Sequence, residues 1–187
     1  DDGTLLRELK GHRGYVLAVT YTHHGARLLS SAGDGVIRIW GADGDQPEAT
    51  LEGHRGGVPA FTLSEDDTLM LSGGRDGTVR LWNVAERTLL TTLPGHRGWV
   101  RGVAFAGETG RAVSVGEGGR MLTWDLASQT MRAAVDSDSA WYALACSADG
   151  TTAFAAGADQ TLSIWDLGKG MSVASRPGHE RPIHGIA

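Results

Sequence analysis

A Gly-His dipeptide and a tryptophan return along this chain at almost constant spacing. That repetition limits the available folds more than any single motif does. Gly-His stands at Gly11-His12, Gly53-His54, Gly95-His96 and Gly178-His179, and the tryptophans are Trp40, Trp82, Trp124 and Trp165. The histidines are 42, 42 and 83 residues apart and the tryptophans 42, 42 and 41, and each His leads its Trp by 28. The dipeptide missing from the fourth copy falls at Asp136-Ser137, and Ser137 again precedes Trp165 by 28 residues. One residue has therefore been deleted between Trp124 and Ser137. The units run approximately over 11–52, 53–94, 95–135 and 136–177, with a partial fifth from 178. A period of about 40 residues means one small supersecondary unit copied along the chain.

The apolar residues inside each unit fall into columns. The first holds Val16, Val19 and Tyr21, then Val58, Phe61 and Leu63, then Val100, Val103 and Phe105, then Trp141, Leu144 and Cys146. A step of three followed by a step of two is strand alternation broken once, as by a β-bulge. Further columns hold Leu29, Leu71, Val113 and Phe154, then Ile37, Val79, Met121 and Leu162, and before Gly-His, Leu9, Leu51 and Leu93. Twenty-eight glycines in 187 residues, roughly twice the usual ~7%, supply the turns between them. No segment carries a helical period. The reading is all-β, with a four-stranded antiparallel meander per unit. A lone meander of this size leaves both faces wet. Copies stacked around an axis bury them, which makes each unit a blade of a β-propeller.

With these columns in place the chain resembles the WD-repeat family. Gly-His, a Ser-x-Gly-x-Asp-like turn and a closing Trp-Asp fall in register, with Trp124-Asp125 and Trp165-Asp166 intact and Trp40-Gly41 and Trp82-Asn83 lacking the Asp. About four and a half repeats are present, an incomplete ring or part of a longer propeller. Residues 3–9 read as the outermost strand of a preceding blade and 182–187 as the innermost strand of a following one. A longer chain is the favoured expectation, and a second chain completing the ring is the alternative.

The recurring His, Ser and Asp invite comparison with a catalytic triad. A catalytic site occurs once, however, and this set returns with the period of the fold. The resemblance implies instead a hydrogen-bond chain from Trp through Ser and His to Asp: His12, Ser30, Asp34 and Trp40, then His54, Ser72, Asp76 and Trp82. A buried indole N–H needs an acceptor, and the chain supplies one. The third unit keeps His96, Ser114 and Trp124 but has Gly118 for the Asp, with Glu117 beside it. The fourth keeps Asp159 and Trp165 but has Ser137 and Ala155 for His and Ser. These two sets are expected to rely more on packing.

The resemblance places partner binding on the narrow end of the propeller. The positions carried there by register include Tyr15, Arg75, Trp99, Arg101, Glu117 and Tyr142, with Pro182 and His184 from the fifth unit. Aromatic and Arg residues are enriched in interface hot spots. Trp141 stands in a valine column and reads as core. The expected function is a non-enzymatic scaffold for a protein or peptide partner. The alternatives are a sensor or scaffold domain of a longer enzyme, such as a kinase, NTPase or cytochrome, and a small-molecule-binding or hydrolytic propeller.

Other signals are weaker. A net charge of −5 argues against general nucleic-acid binding. Cys146 is the single cysteine, so neither an internal disulfide nor a Cys-pair metal site can form, and His23-His24 reads as a solvated turn. No metal or cofactor is expected. No apolar run approaches a membrane span, and a cytoplasmic location is the expectation.

Overall fold

The computed structural model describes residues 3–41, 43–108 and 110–186. It contains sixteen strands and no helix among them. The first sheet holds β1 (Val16–Tyr21), β2 (Leu28–Ala32), β3 (Ile37–Trp40) and β4 (Ala49–Leu51). The second holds β5 (Ala60–Leu63), β6 (Leu69–Gly73), β7 (Thr78–Asn83) and β8 (Thr88–Pro94). The third holds β9 (Val100–Phe105), β10 (Arg111–Gly116), β11 (Arg120–Asp125) and β12 (Thr130–Asp136). The fourth holds β13 (Trp141–Cys146), β14 (Thr152–Gly157), β15 (Thr161–Asp166) and β16 (Met171–Pro177).

Each sheet is an antiparallel meander whose strands pair in chain order. The innermost strands β1, β5, β9 and β13 stand side by side, so the sheets follow one another as the blades of an arc, and among the described residues the arc does not close. The broken alternation seen in the sequence corresponds to register shifts at Val16/Ala18, Val115/Gly116 and Trp141/Ala143 on the innermost-strand pairs.

The core lies between blades. Leu29, Ile37, Ile39 and Leu51 of the first blade meet Val58, Leu63, Met70 and Trp82 of the second. Leu71, Val79, Leu81 and Leu93 then meet Val100, Val103, Leu122 and Trp124. Val113, Val115 and Met121 meet Trp141 and Ala155. Each such side chain contributes about 1.5–3 kcal/mol when fully buried. Interblade contact also explains one glycine column. Gly35, Gly77 and Gly119 have φ of 81°, 74° and 68°, and a Cβ on Gly35 or Gly77 would stand 2.8 Å from His54 O or 3.0 Å from His96 O of the next unit.

The structure corrects three expectations. Residues 3–9 form no strand. A strand needs a paired edge, and this segment instead reaches Gly41 O through Arg7 Nη2 at 3.2 Å. The described part of 182–187 forms none either (Ala187 lies outside the described residues), although Ile183 N donates to Gly157 O at 3.1 Å, as Val58 N does to Ala32 O and Val100 N to Gly74 O. Finally, Val16, Val19 and Tyr21 read as core, yet they are 54%, 61% and 65% exposed. Nothing among the described residues covers that face, whereas Val58 and Val100 in the same column are fully buried.

Candidate functional site

Two constellations emerge, one inside the blades and one at their loop end. In the first blade Trp40 Nε1 donates to Ser30 Oγ at 2.8 Å, Ser30 Oγ lies 2.7 Å from His12 Nε2, and His12 Nδ1 lies 3.2 Å from Asp34 Oδ2. The second blade repeats this through Trp82, Ser72, His54 and Asp76, at 2.8, 2.8 and 3.1 Å. A carboxylate only accepts, so each His donates from Nδ1 and takes the serine proton's bond at Nε2. The carboxylates are also held by backbone amides. Arg13 N reaches Asp34 at 2.9 Å and Arg55 N reaches Asp76 at 2.8 Å. Burial alone would raise both Asp pKa values, but these amides, the histidines and, for Asp76, the Thr78 hydroxyl outweigh it and hold both carboxyls below their ordinary range.

The third blade keeps only the inner half. Trp124 Nε1 donates to Ser114 Oγ at 2.9 Å, and Ser114 lies 2.7 Å from His96 Nε2. With Gly118 in place of the Asp, the buried His96 Nδ1 has no partner among the described residues. Burial first, and the Arg120 guanidinium second, push the His96 pKa down to about 4. His54, equally buried but facing Asp76, also shifts down, because burial outweighs the carboxylate. In the fourth blade Asp159 accepts the Thr161 amide, at 3.1 Å, and the buried Trp165 Nε1 has no acceptor among the described residues. Ala155, fully buried, stands where the serine would be. Asp159 and Trp165 are thus not brought together.

At the loop end, the turn after the second strand meets the link into the first. Gly33 N donates to Tyr15 O, Arg75 N to Gly57 O, Glu117 N to Trp99 O and Ala158 N to Ala140 O, each at 2.9 Å. These bonds gather five of the six expected partner-binding residues into one run. The Arg75 guanidinium lies 4.1 Å from the Trp99 ring centroid, and that of Arg101 lies 4.8 Å from Trp99 and 5.9 Å from Tyr142. Arg101 Nε donates to Glu117 Oε1 at 2.8 Å. Tyr142 stacks on His184, with centroids 5.0 Å apart and planes 5° apart. Trp99 is half-buried and Tyr15, at 90% exposure, stands outside the run. Each cation–π contact is worth roughly 0.5–1 kcal/mol or more, so the run is pre-organised.

Sequence reasoning placed these residues on one end but missed that they touch each other. It also missed a clasp at the opposite end, where Asp67 takes His23 Nδ1 at 2.7 Å and His23 N at 3.1 Å. Cys146 is largely buried, and burial pushes its thiol up to about 12, so it is not a nucleophile. No group of three metal-ligating side chains exists among the described residues.

The family model for the WD domain, G-beta repeat, matches residues 3–41, 45–83, 87–125 and 131–166. Its repeat is offset from the blades by one strand. The match over 45–83, for example, contains β4 of one blade and β5 to β7 of the next. Each repeat therefore ties two blades together. No curated protein matches the chain.

Proposed function

The chain belongs to the WD domain, G-beta repeat family, and on that premise we propose that it is a non-enzymatic platform binding a protein or peptide partner through the end that carries Trp99. The observation that carries this reading is the run Arg75, Trp99, Arg101, Tyr142 and His184. It runs from the second unit into the partial fifth and leaves aromatic and guanidinium groups half-exposed at the surface. Held side chains of these types lose little entropy on binding and suit hot spots. A hydrolytic reading fares worse. Ser30, Ser72 and Ser114 are 5%, 0% and 0% exposed, and each Oγ already accepts an indole N–H. A nucleophile must reach its substrate.

Peptides selected from a display library against the chain provide the test. Trp99→Ala should weaken the selected peptides by about tenfold or more while far-UV circular dichroism stays unchanged. Glu86→Ala, in an exposed turn at the far end of the second blade, should have no effect. Peptides indifferent to both Trp99→Ala and Arg101→Ala would refute the assignment.

A further inference from the structure

The loop end carries a second pattern, in charge. The triplet His-Arg-Gly occurs at 12–14, 54–56 and 96–98, so Arg13, Arg55 and Arg97 each follow a network histidine at the 42-residue period. The backbone amides of Arg13 and Arg55 are fixed on Asp34 and Asp76, and all three arginines are exposed. None of their guanidinium groups has an acidic partner among the described residues. Nor has Arg75, whose guanidinium lies over Trp99 and whose buried Nε donates to nothing. Arg38, Arg101 and Arg120 at the same end are ion-paired, with Asp34, Glu117 and Asp136.

The acids of this end explain the imbalance. Asp34 and Asp76 are taken up by histidine and backbone amides, and Glu117 by Arg101. Among the described residues the acids of this end left without a cation are Asp138, Asp159 and Glu180 on the fourth unit and beyond, and Glu52 at the outer edge after β4. A chain with net charge −5 therefore carries a row of guanidinium groups without acidic partners among the described residues along its first three blades, three of them exposed and that of Arg75 lying over Trp99. Such a field raises the local concentration of an anion and speeds its encounter. The planar fork of Arg matches a carboxylate through two parallel N–H···O bonds.

Resting on the platform reading above, we infer that the partner is an acidic peptide segment whose Asp and Glu side chains pair with Arg13, Arg55, Arg75 and Arg97 across the first three blades. A single-stranded nucleic acid would need open aromatic faces for its bases. Two guanidinium groups already lie over Trp99, and Tyr142 is stacked on His184. The net charge also opposes a long polyanion.

The test uses the whole chain and fluorescence anisotropy. The probes are a short labelled peptide of alternating Glu and Ser, its Gln and Lys counterparts, and a single-stranded DNA of matched charge. The Glu peptide should bind at least about tenfold more tightly than the Gln peptide, and salt should weaken it. Arg55→Glu and Arg97→Glu should each weaken it by about tenfold or more. Lys169→Glu, in the exposed turn between β15 and β16 at the opposite end, should leave it unchanged. Equal binding of the Gln peptide, insensitivity to both loop arginines, or tighter binding of the DNA would overturn the inference. Display-selected peptides that are neutral or basic and still depend on Trp99 would overturn it while leaving the platform reading standing. If no ligand depends on Trp99, Arg55 or Arg97, both fall.

Discussion

Replacing Trp82 and Trp165 by Phe removes the same indole N–H from two blades that treat it oppositely. Trp82 Nε1 donates to a Ser72 Oγ that is itself 0% exposed. Trp165 Nε1 is buried without an acceptor. Both substitutions lose part of a ring, at about 1–2 kcal/mol of packing. Trp82→Phe also loses a hydrogen bond worth about 1 kcal/mol, so about 2–3 kcal/mol is expected in all. Trp165→Phe instead removes an unsatisfied donor, whose burial costs about 1–3 kcal/mol, so its net effect should be near zero. The expected gap is about 2–3 kcal/mol, well above measurement error. Urea titration by far-UV circular dichroism reads the global value if the slope is unchanged. Amide exchange on β6–β7 and β14–β15 localises it to a blade, which matters because repeat arrays need not unfold in one step. Trp165→Phe proving as damaging as Trp82→Phe would refute the reasoning. Ala155→Ser with Ser137→His should restore a partner to Trp165 and stabilise the fourth blade by more than the two single changes together.

Three further outcomes follow from the same geometry. His96 is held neutral with a folded pKa of about 4 against an ordinary 6.5. Between those values the unfolded chain binds more protons, so this group's contribution is fully present above about pH 6.5 and is lost as pH falls toward 4, a loss of about 3 kcal/mol. Gly118→Asp should raise the His96 pKa, read by NMR titration of its ring protons, once Arg97 yields to a new Cβ 3.0 Å from its own; an unmoved pKa would show that the carboxylate does not reach Nδ1. Gly77→Ala forces a side chain to φ 74° and to 3.0 Å from His96 O, and should cost at least about 1–2 kcal/mol. Gln160→Gly, at φ 65° in the same column of the fourth unit, should be neutral or slightly stabilising in the same urea titration. The exposed Val16, Val19 and Tyr21 face should drive self-association detectable by light scattering, and Val19→Lys should reduce it; a monodisperse monomer insensitive to that change would count against the point.

The sequence made the blades legible because their information is periodic. His12 in the link before β1 meets Ser30 on β2 and Trp40 on β3, yet their offsets recur at 42, and one copy explains the others. Contacts that differ from blade to blade had no such signal. Arg75, Trp99 and Arg101 can each be placed by register, but the approach of Arg75 to Trp99 crosses from the second blade to the third. Glu117 stands among the expected partner-binding positions, and no periodic signal marks the Arg101 side chain that claims it. Periodicity also cannot tell whether a face is covered. Val16 and Val58 share a column and differ only in whether a neighbouring blade lies against them.

The fourth blade shows that the hydrogen-bond chain is one of two ways to seat the conserved-offset tryptophan. Its first column carries Trp141 where the other units have valine, and Trp141 is 2% exposed. Trp141 meets Trp165 edge-on, with centroids 5.7 Å apart and planes 68° apart. Such a pair is worth about 0.5–1.5 kcal/mol beyond its buried area, comparable to the bond that Trp165 lacks. The serine column has shrunk to Ala155, fully buried in the cluster that holds both rings. The two changes depend on each other. A serine at 155 without a histidine at 137 would hold a hydroxyl with no imidazole to receive its proton, in a site now filled by aromatic surface. Loss of the network and gain of the second tryptophan are therefore one exchange, polar satisfaction for packing, and the unpartnered Trp165 Nε1 is the residue of it.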